Sequence, residues 1–245
     1  MQRHLKEGIE QNAAYEKART EMISGISHDL RTPLTSVKGY IKGLQDGVAN
    51  TEEKRRQYLD IAYSCACDME GLLAKLFYYS KLETGNMPFY KQKTDMGEYL
   101  GRYVEGKKDL IAEKACLEFQ SICQGDCFLD IDLEQMKRVF DNFVENSLKY
   151  AHAEPLIMKI TLEKEQDDSL TIAFCDNGVG VPPAKLPHLF EQFYRGDEAR
   201  SDGEGSGLGL YVCQYIVKAH GGTIRAENQG GLHLIMNFRN EKGEV

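Results

Sequence analysis

The chain lacks a long apolar run, a signal-peptide core and an excess of positive charge. No stretch of its 245 residues approaches the roughly 18 consecutive apolar residues of a membrane-spanning helix. The N-terminal MQRHLKEGIEQ has no leader-like hydrophobic core. The net charge of -8 argues against a nucleic-acid or anionic-membrane binder, whose contact surface is basic. We expect a cytoplasmic chain with no membrane contact of its own, compatible with the inner part of a longer, membrane-anchored protein.

Paired cysteine motifs are missing as well. The seven cysteines are an odd number, and no two of them form a CxxC pair. This pattern indicates neither a disulfide framework nor a zinc site, so we expect free thiols in a reducing compartment. The length suits one large domain or two modest ones.

Two amphipathic helices account for about the first 90 residues. Apolar residues recur every three or four positions, first at Ile23, Ile26, Leu30, Leu34, Val37, Ile41 and Leu44, then at Tyr58, Ile61, Cys65, Met69, Leu72, Leu76 and Tyr79. Thr51 is a candidate N-cap for the second helix, which Gly85, Asn86 and Pro88 end. A hairpin of these helices cannot bury both stripes alone, which predicts a homodimeric four-helix bundle.

From Phe89 onward, β-rich runs alternate with helical ones. The β-rich runs are 117–123, 127–132, 156–164, 169–176, 222–228 and 232–238, and the helical runs are 98–114, 132–151 and 208–220. This order predicts an α+β sandwich with one sheet covered by helices on one face. We expect a signalling helix or linker at 1–20, the helical hairpin at 21–86 and the sandwich at 87–245.

One histidine lies on the polar side of the first predicted helix. At about 100° per residue, His28 points about 160° away from the apolar stripe. Such a histidine is usually only solvated, but Asp29 is adjacent and Thr32 follows one turn later on the same face. Pro33 cannot donate to the Asp29 carbonyl, so the helix should kink or loosen there. An exposed imidazole beside a carboxylate is a competent nucleophile near neutral pH.

The same face also carries Thr35, Gly39, Lys42 and Gly43. Their mostly small side chains predict a smooth strip on which another protein can dock. The alternative, in which the glycines only weaken a solvated helix, stays open.

Three segments of the second half have residues suited to a nucleotide. Asn142 and Asn146 share one face of a helix, and the neutral oxygen of Asn146 suits Mg²⁺ while Lys149 adds charge for phosphate. Asp176, followed by Gly178 and Gly180, ends a strand. Its carboxylate can accept from an exocyclic amine such as that of adenine, and the glycines allow close backbone approach.

A glycine-rich segment opens the last predicted helix. It reads Gly205, Ser206, Gly207, Leu208, Gly209 and Leu210. Backbone N–H groups at a helix N-terminus form an anion site. Alone, each of these motifs is weak, and no strand leads directly into this one, which separates it from a dinucleotide fingerprint.

Taken in order, these motifs resemble those of the sensor histidine kinases. The segment from Ser27 to Leu34 is similar to their phospho-acceptor box, and the later segments resemble their asparagine, glycine and phenylalanine boxes. The resemblance spans about residues 20–240. It implies a kinase that uses ATP and Mg²⁺ to phosphorylate itself on His28 and passes the phosphoryl group to an aspartate of a response regulator.

The resemblance also implies roles for single residues. Asp29 acts as base or orienter, and Thr32 positions water for dephosphorylation of the regulator. Asn146 coordinates Mg²⁺, Asp176 reads adenine and Tyr150 packs beside the base. Arg195 contacts the γ-phosphate, and Phe190, Phe193 and Tyr194 anchor a lid.

Two other functions remain as alternatives. ATPases of the gyrase and chaperone type share the nucleotide fold, but they carry a glutamate base four residues before the metal-binding asparagine. Here that position is Asn142, and without a base the γ-phosphoryl group survives for transfer. The second alternative is a dimeric scaffold or phosphatase with a degenerate nucleotide site.

Overall fold

The computed structural model describes residues 2–85, 87–123, 125–192, 194 and 207–239. The chain divides into two compact units, Met1–Pro88 and Phe89–Val245. No helix in the described ranges combines the length and the apolar content needed to cross a membrane.

The first unit is a hairpin of two helices, α1 (Gln2–Gln45) and α2 (Glu52–Glu83). The predicted cap is confirmed, because the Lys54 backbone N–H donates to Thr51 Oγ1 at 3.2 Å and Glu52 follows in the first turn, where the helix dipole favours it. α1 runs through Pro33 as a single helix, so the proline does not end it.

The hairpin leaves much of its apolar stripe uncovered. The two helices pack together, with the rings of Tyr40 and Tyr58 edge to face at 5.1 Å. Even so, Ile23 is 46% exposed and Ile41 44%. Among the described side chains of this unit, the buried apolar ones are two alanines, Ala49 and Ala62. The hairpin therefore forms only part of a core.

The described part of the second unit contains seven strands. They are β1 (Gln92–Asp95), β2 (Ala115–Ser121), β3 (Phe128–Ile131), β4 (Leu156–Lys164), β5 (Leu170–Asp176), β6 (Gly222–Asn228) and β7 (Leu232–Phe238). Five of them form one sheet in the order β2-β4-β5-β7-β6. β2 and β4 run parallel, and the other neighbours are antiparallel.

Three helices cover one face of this sheet: α3 (Met96–Ile111), α4 (Leu133–Tyr150) and α5 (Gly209–Ala219). Strand residues alternate between buried and more exposed, as expected when one face packs and the other meets solvent. Phe143 of α4 lies between Phe140 and Phe174, with ring centroids 6.1 and 5.5 Å away. The predicted α+β sandwich is confirmed.

The prediction of a single sheet was wrong for β3. That strand pairs antiparallel with β1 in a separate two-stranded ribbon. β1 reads QKTD, and without apolar alternation it gives no strand signal.

The prediction of seven free thiols was also wrong. Cys123 and Cys127 form a disulfide in the turn between β2 and β3, with their Cα atoms 6.9 Å apart. The turn brings together two cysteines whose spacing is not a recognised pair motif. The other five cysteines are free.

Candidate functional site

His28 lies on the outer side of α1, as its angular position predicted. Its side chain is 77% exposed, and Nδ1 lies 3.4 Å from Asp29 Oδ1. This is a long hydrogen bond, sufficient to favour one ring orientation. Since the carboxylate engages Nδ1, Nε2 is the ring nitrogen available to an electrophile.

A shallow depression surrounds this imidazole. It encloses about 340 Å³ and is lined by His28, Arg31, Thr32, Thr35 and Ser36. Thr32 thus shares a surface with the histidine, as its spacing of one helical turn requires. The Thr35 hydroxyl donates to the Arg31 carbonyl at 2.8 Å, which fixes its rotamer.

The predicted small-residue strip is shorter than expected. A Cβ atom on Gly39 would meet open space, but one on Gly43 would lie 2.7 Å from the ring of Tyr58. Gly43 therefore faces α2, and its inclusion in the exposed strip was wrong. Lys42 is exposed and pairs with Asp46 at 2.8 Å.

In the second unit, Asp176 ends β5 as a buried carboxylate, 7% exposed. Its Oδ1 accepts from the backbone N–H groups of Gly178 and Leu232, at 3.0 and 3.1 Å. Its Oδ2 accepts from Ser147 Oγ at 2.7 Å. Two backbone donors and one hydroxyl hold the carboxylate in a single orientation.

The loop after Asp176 packs tightly on its surroundings. A Cβ atom on Gly178 would lie 2.5 Å from the Ala151 carbonyl oxygen, and the Val179 N–H donates to that oxygen at 2.9 Å. Gly180 has a φ of +69° and abuts the side chain of Asn228. Glycine is required at both positions, by close approach at the first and by backbone conformation at the second.

Asn142 lies against the beginning of α5. Its Nδ2 donates to the Arg138 carbonyl at 2.9 Å, and a Cβ atom on Gly209 would lie 2.6 Å from its Oδ1. This amide thus packs against the glycine box. The carboxylate that a gyrase-type hydrolase carries at this position is absent.

α4 is the element common to the predicted nucleotide residues. It contacts the Asp176 carboxylate through Ser147 and the glycine box through Asn142, and Ala151, directly after it, contacts Gly178. The other predicted residues on it are Asn146, which is half-buried, and Lys149 and Tyr150, which are exposed.

Several residues predicted to bind the nucleotide lie at the end of a described segment or outside the described residues. Gly207 has a φ of +66°, Leu208 is 8% exposed and Leu210 is half-buried. Arg195, Gly205 and Phe193 lie outside the described residues.

The sequence missed three residues that build this site. Ser147 donates to Asp176, Gly231 packs against the Asp176 carbonyl with a φ of +151°, and Asn228 accepts from the Val181 N–H at 3.0 Å. Ser147 could have been predicted from its position directly after Asn146. Asn228 and Gly231 lie 52 and 55 positions after Asp176, and nothing in the sequence linked them to it.

A charged cluster joins α3 to α4. Lys107 and Lys137 donate to the two oxygens of Asp141 at 2.8 and 2.6 Å, and the Tyr103 hydroxyl donates to the first oxygen at 3.1 Å. Burial alone would raise the pKa of Asp141, but the bonds from the lysines bring this pKa below its ordinary value. The cluster fixes α4, and with it the asparagines that α4 carries.

His220, the residue directly after α5, connects the C-terminal end of α5 to the N-terminal end of α4. Its Nε2 accepts from the Asp132 backbone N–H at 2.9 Å, and its Nδ1 donates to the Ile216 carbonyl at 2.6 Å. Burial is the main reason that the pKa of His220 is lowered. The ring of Phe89 packs edge on against the imidazole at 5.2 Å, while the Tyr90 N–H donates to Asp132 Oδ2.

The second unit fits an adenine nucleotide with Mg²⁺. Among the described residues, Asp176 Oδ2 has one hydrogen-bond donor, Ser147, and so keeps acceptor capacity for an amine. Asn146 offers an amide oxygen, the ligand type that Mg²⁺ takes alongside phosphates.

Two family models match the chain. The His Kinase A (phospho-acceptor) domain matches residues 18–85, and the histidine kinase-, DNA gyrase B-, and HSP90-like ATPase domain matches residues 131–242. The sensor protein kinase WalK of Staphylococcus epidermidis is 32% identical over 217 residues, which cover 88% of this chain and 35% of WalK. The chain thus spans about a third of that relative.

Solved structures share the fold. Acinetobacter baumannii histidine kinase AdeS aligns with a TM-score of 0.60 at 22% identity, covering 88% of this chain and 98% of AdeS. Histidine kinase ThkA, solved in complex with response regulator protein TrrA, aligns with a TM-score of 0.62 at 19% identity, covering 91% of this chain and 63% of that one.

Proposed function

The chain belongs to the sensor histidine kinases of two-component systems, and from this premise we propose that it phosphorylates itself on His28 with ATP and then passes the phosphoryl group to a response-regulator aspartate. The observation that carries the proposal is the exposed imidazole with Nδ1 turned to Asp29. Its surface position leaves room for a nucleotide and, later, for a protein partner.

The transfer follows from the orientation of the imidazole. With its proton on Nδ1 facing Asp29 Oδ1, the neutral ring attacks through the lone pair of Nε2. A phosphorus–nitrogen bond forms as the bond between the γ-phosphorus and the bridging oxygen breaks, in line. Asp29 stabilises the positive charge that develops on the ring.

The nucleotide is assigned to the site around α4. Asp176 accepts from the adenine amine, Tyr150 packs beside the base, and Lys149, with the backbone of Gly207 to Leu210, faces the phosphates. Asn146 would hold Mg²⁺, which supplies charge neutralisation on the phosphate oxygens. Arg195 and Gly205 complete the proposed set.

The proposed partners are a second copy of the chain and a response-regulator receiver domain. Apolar side chains exposed along the hairpin, including Ile23, Leu34 and Ile41, support a homodimeric four-helix bundle. The receiver partner is supported by the fold shared with ThkA, which was solved with a response regulator.

Thr32 beside His28 supports a phosphatase activity as well. We place the chain in the cytoplasm, as the inner part of a membrane-anchored sensor.

Labelled ATP with Mg²⁺ tests this function. The native chain should acquire an acid-labile, alkali-stable label that His28→Ala abolishes. His233→Ala is the matched control, because His233 also has a ring nitrogen engaged, with Cys175 Sγ at 3.1 Å, on the solvent-facing side of the sheet. Phosphate release without labelled protein would indicate an ATPase instead. If neither product forms, the scaffold alternative holds.

A further inference from the structure

The disulfide between Cys123 and Cys127 links the five-stranded sheet to the two-stranded ribbon, which the described strands form as separate sheets. Directly after β2, the Ile122 N–H donates to the Leu162 carbonyl of β4 at 2.8 Å, which holds the chain before Cys123 on the large sheet. Directly before β3, the Cys127 carbonyl accepts from the Met96 N–H at 2.9 Å. The disulfide is therefore a covalent tether between the large sheet and the β1–β3 ribbon.

The size of the loop and the proposed compartment both indicate a reversible bond. The two cysteines are 4 positions apart, and a disulfide that closes so short a loop constrains the unfolded chain the least. It therefore contributes less to global stability than a disulfide across a long loop. The chain is proposed to be cytoplasmic, where disulfides are usually transient and catalytic or redox-sensing. The inference below rests on that proposed location.

The two cysteines differ in their access to solvent. Cys123 is half-buried and follows Ile122, which is 54% exposed. Cys127 is 3% exposed. A thiol from solvent therefore meets Cys123 first, while Cys127 stays beside it as the second, resolving cysteine. Redox-sensing pairs commonly combine an accessible cysteine with a neighbouring resolving one.

We propose that Cys123 and Cys127 are a redox modification site, which exchanges with small disulfides and thiols of the glutathione type and thereby tethers or frees the β1–β3 ribbon. In oxidation, the Cys123 thiolate attacks one sulfur of the small disulfide and expels one small thiolate. The Cys127 thiolate then attacks Cys123 Sγ in the mixed disulfide and expels the second. The two protein thiols lose two electrons and two protons, and the small disulfide is reduced to two thiols. Reduction follows the reverse path.

The ribbon leads directly into the residue that begins α4. β3 ends at Ile131, and Asp132 follows as the N-cap, accepting from the Gln135 N–H at 3.1 Å. The other carboxylate oxygen of Asp132 accepts from the Tyr90 N–H at 2.9 Å. A segment with fewer tethers opens locally at a lower free energy. Reduction should therefore let the ribbon open more often, and with it the bond between Asp132 and Tyr90.

A redox titration tests the modification site. The full chain is equilibrated in buffers with graded ratios of glutathione to glutathione disulfide, quenched with acid and alkylated. Peptide mass spectrometry then measures the oxidised fraction of the cysteine pair. This fraction should change reversibly from oxidised to reduced over the ratios found in the cytosol. A pair that stays oxidised in the most reducing buffer, or that never oxidises, overturns the proposal.

Hydrogen exchange tests the tether. The amides of the β1–β3 ribbon and of Tyr90 should exchange about 10-fold faster in the reduced chain than in the oxidised one, while those of β4 and β5 keep their rates. Cys123→Ser should show the fast exchange in every buffer. Cys116→Ser is the matched control, because Cys116 is a free, exposed cysteine on β2, and it should behave as the native chain does. Equal ribbon exchange in the two redox states overturns the coupling.

The labelled-ATP assay separates this inference from the proposed function. A cysteine pair that titrates in a chain whose His28 acquires no label would support the redox site and overturn the proposed kinase. Labelling of His28 in a chain whose pair does not titrate would support the kinase and overturn the redox site.

Discussion

The two units differ in how completely they bury their apolar side chains. The sandwich buries its aromatic core completely, with Phe140 and Phe143 at 0% exposure. The hairpin leaves Leu34 39% and Phe77 66% exposed. A sheet faced by helices closes its own core, whereas two helices alone leave an apolar face uncovered, which agrees with the proposed four-helix bundle.

This difference matches the chemistry of each unit. The residues proposed to hold the nucleotide need fixed geometry, and a closed core supplies it through buried hydrogen bonds such as the one from Ser147 to Asp176. The proposed transfer requires His28 to meet both a nucleotide and a protein, which agrees with its open surface position. Stability in the hairpin is expected to depend on association, and stability in the sandwich on packing alone.

The strongest test of this contrast exchanges large side chains for alanine in each unit. Phe143→Ala should lower the free energy of unfolding of the sandwich by about 3–5 kcal/mol, because a cavity remains in a packed core. Ile41→Ala, its counterpart in the hairpin, should mainly weaken dimerisation. Denaturant titration at several protein concentrations separates the two, and a concentration-dependent midpoint for the Phe143 transition would contradict the contrast.

A smaller effect is expected from adding a methyl group at glycine. Gly178→Ala places a Cβ atom 2.5 Å from the Ala151 carbonyl oxygen, and this overpacking should cost about 2 kcal/mol and weaken nucleotide binding. Gly71 in α2 has open space beside it. Gly71→Ala should instead stabilise the hairpin by about 0.5–1 kcal/mol. Thermal unfolding measures both, and equal destabilisation would count against the comparison.

Removing the charge at Asp141 should have a more modest effect. Asp141→Asn weakens the bonds from two lysines that fix α4 and should cost about 1.5 kcal/mol. Because the folded-state pKa is lowered, the native cluster stabilises the protein fully above the ordinary aspartate pKa of about 3.8. That stabilisation disappears as the pH falls through the folded value. In an acid titration, the stability of the variant should depend less on pH below pH 4 than that of the native protein. An unchanged curve would contradict the stabilising role of the Asp141 cluster.

The smallest effect concerns His220. Its lowered pKa means that protonation is harder in the folded state than in the unfolded one. The stabilisation that His220 provides is therefore complete above pH 6.5, its ordinary pKa. It declines as the pH falls toward the pKa of the folded state. Protonation would put a proton on Nε2, which accepts from Asp132. His220→Gln should flatten the slope of stability just below pH 6.5, measured by denaturant midpoints; a slope equal to the native one would refute it.

Periodicity predicted the long elements well because it depends on local geometry. α4 and β4 to β7 lie within one residue of their predicted runs, since each has an apolar face with the period of its secondary structure. β1 is four residues long and polar, so nothing in its own sequence marks it. Its pairing with β3 is decided by packing of the surrounding chain.

The sequence by itself determined the helix and strand periods, the outward direction of His28 and the residue types of the nucleotide motifs, because these follow from neighbours along the chain. Tertiary structure alone decided which atoms meet. Asp176 takes its donors from Ser147 and Leu232, 29 and 56 positions away, Gly43 is covered by Tyr58, and Cys123 meets Cys127. A buried polar group must be satisfied by whichever segment packs beside it, and that segment is chosen by the fold.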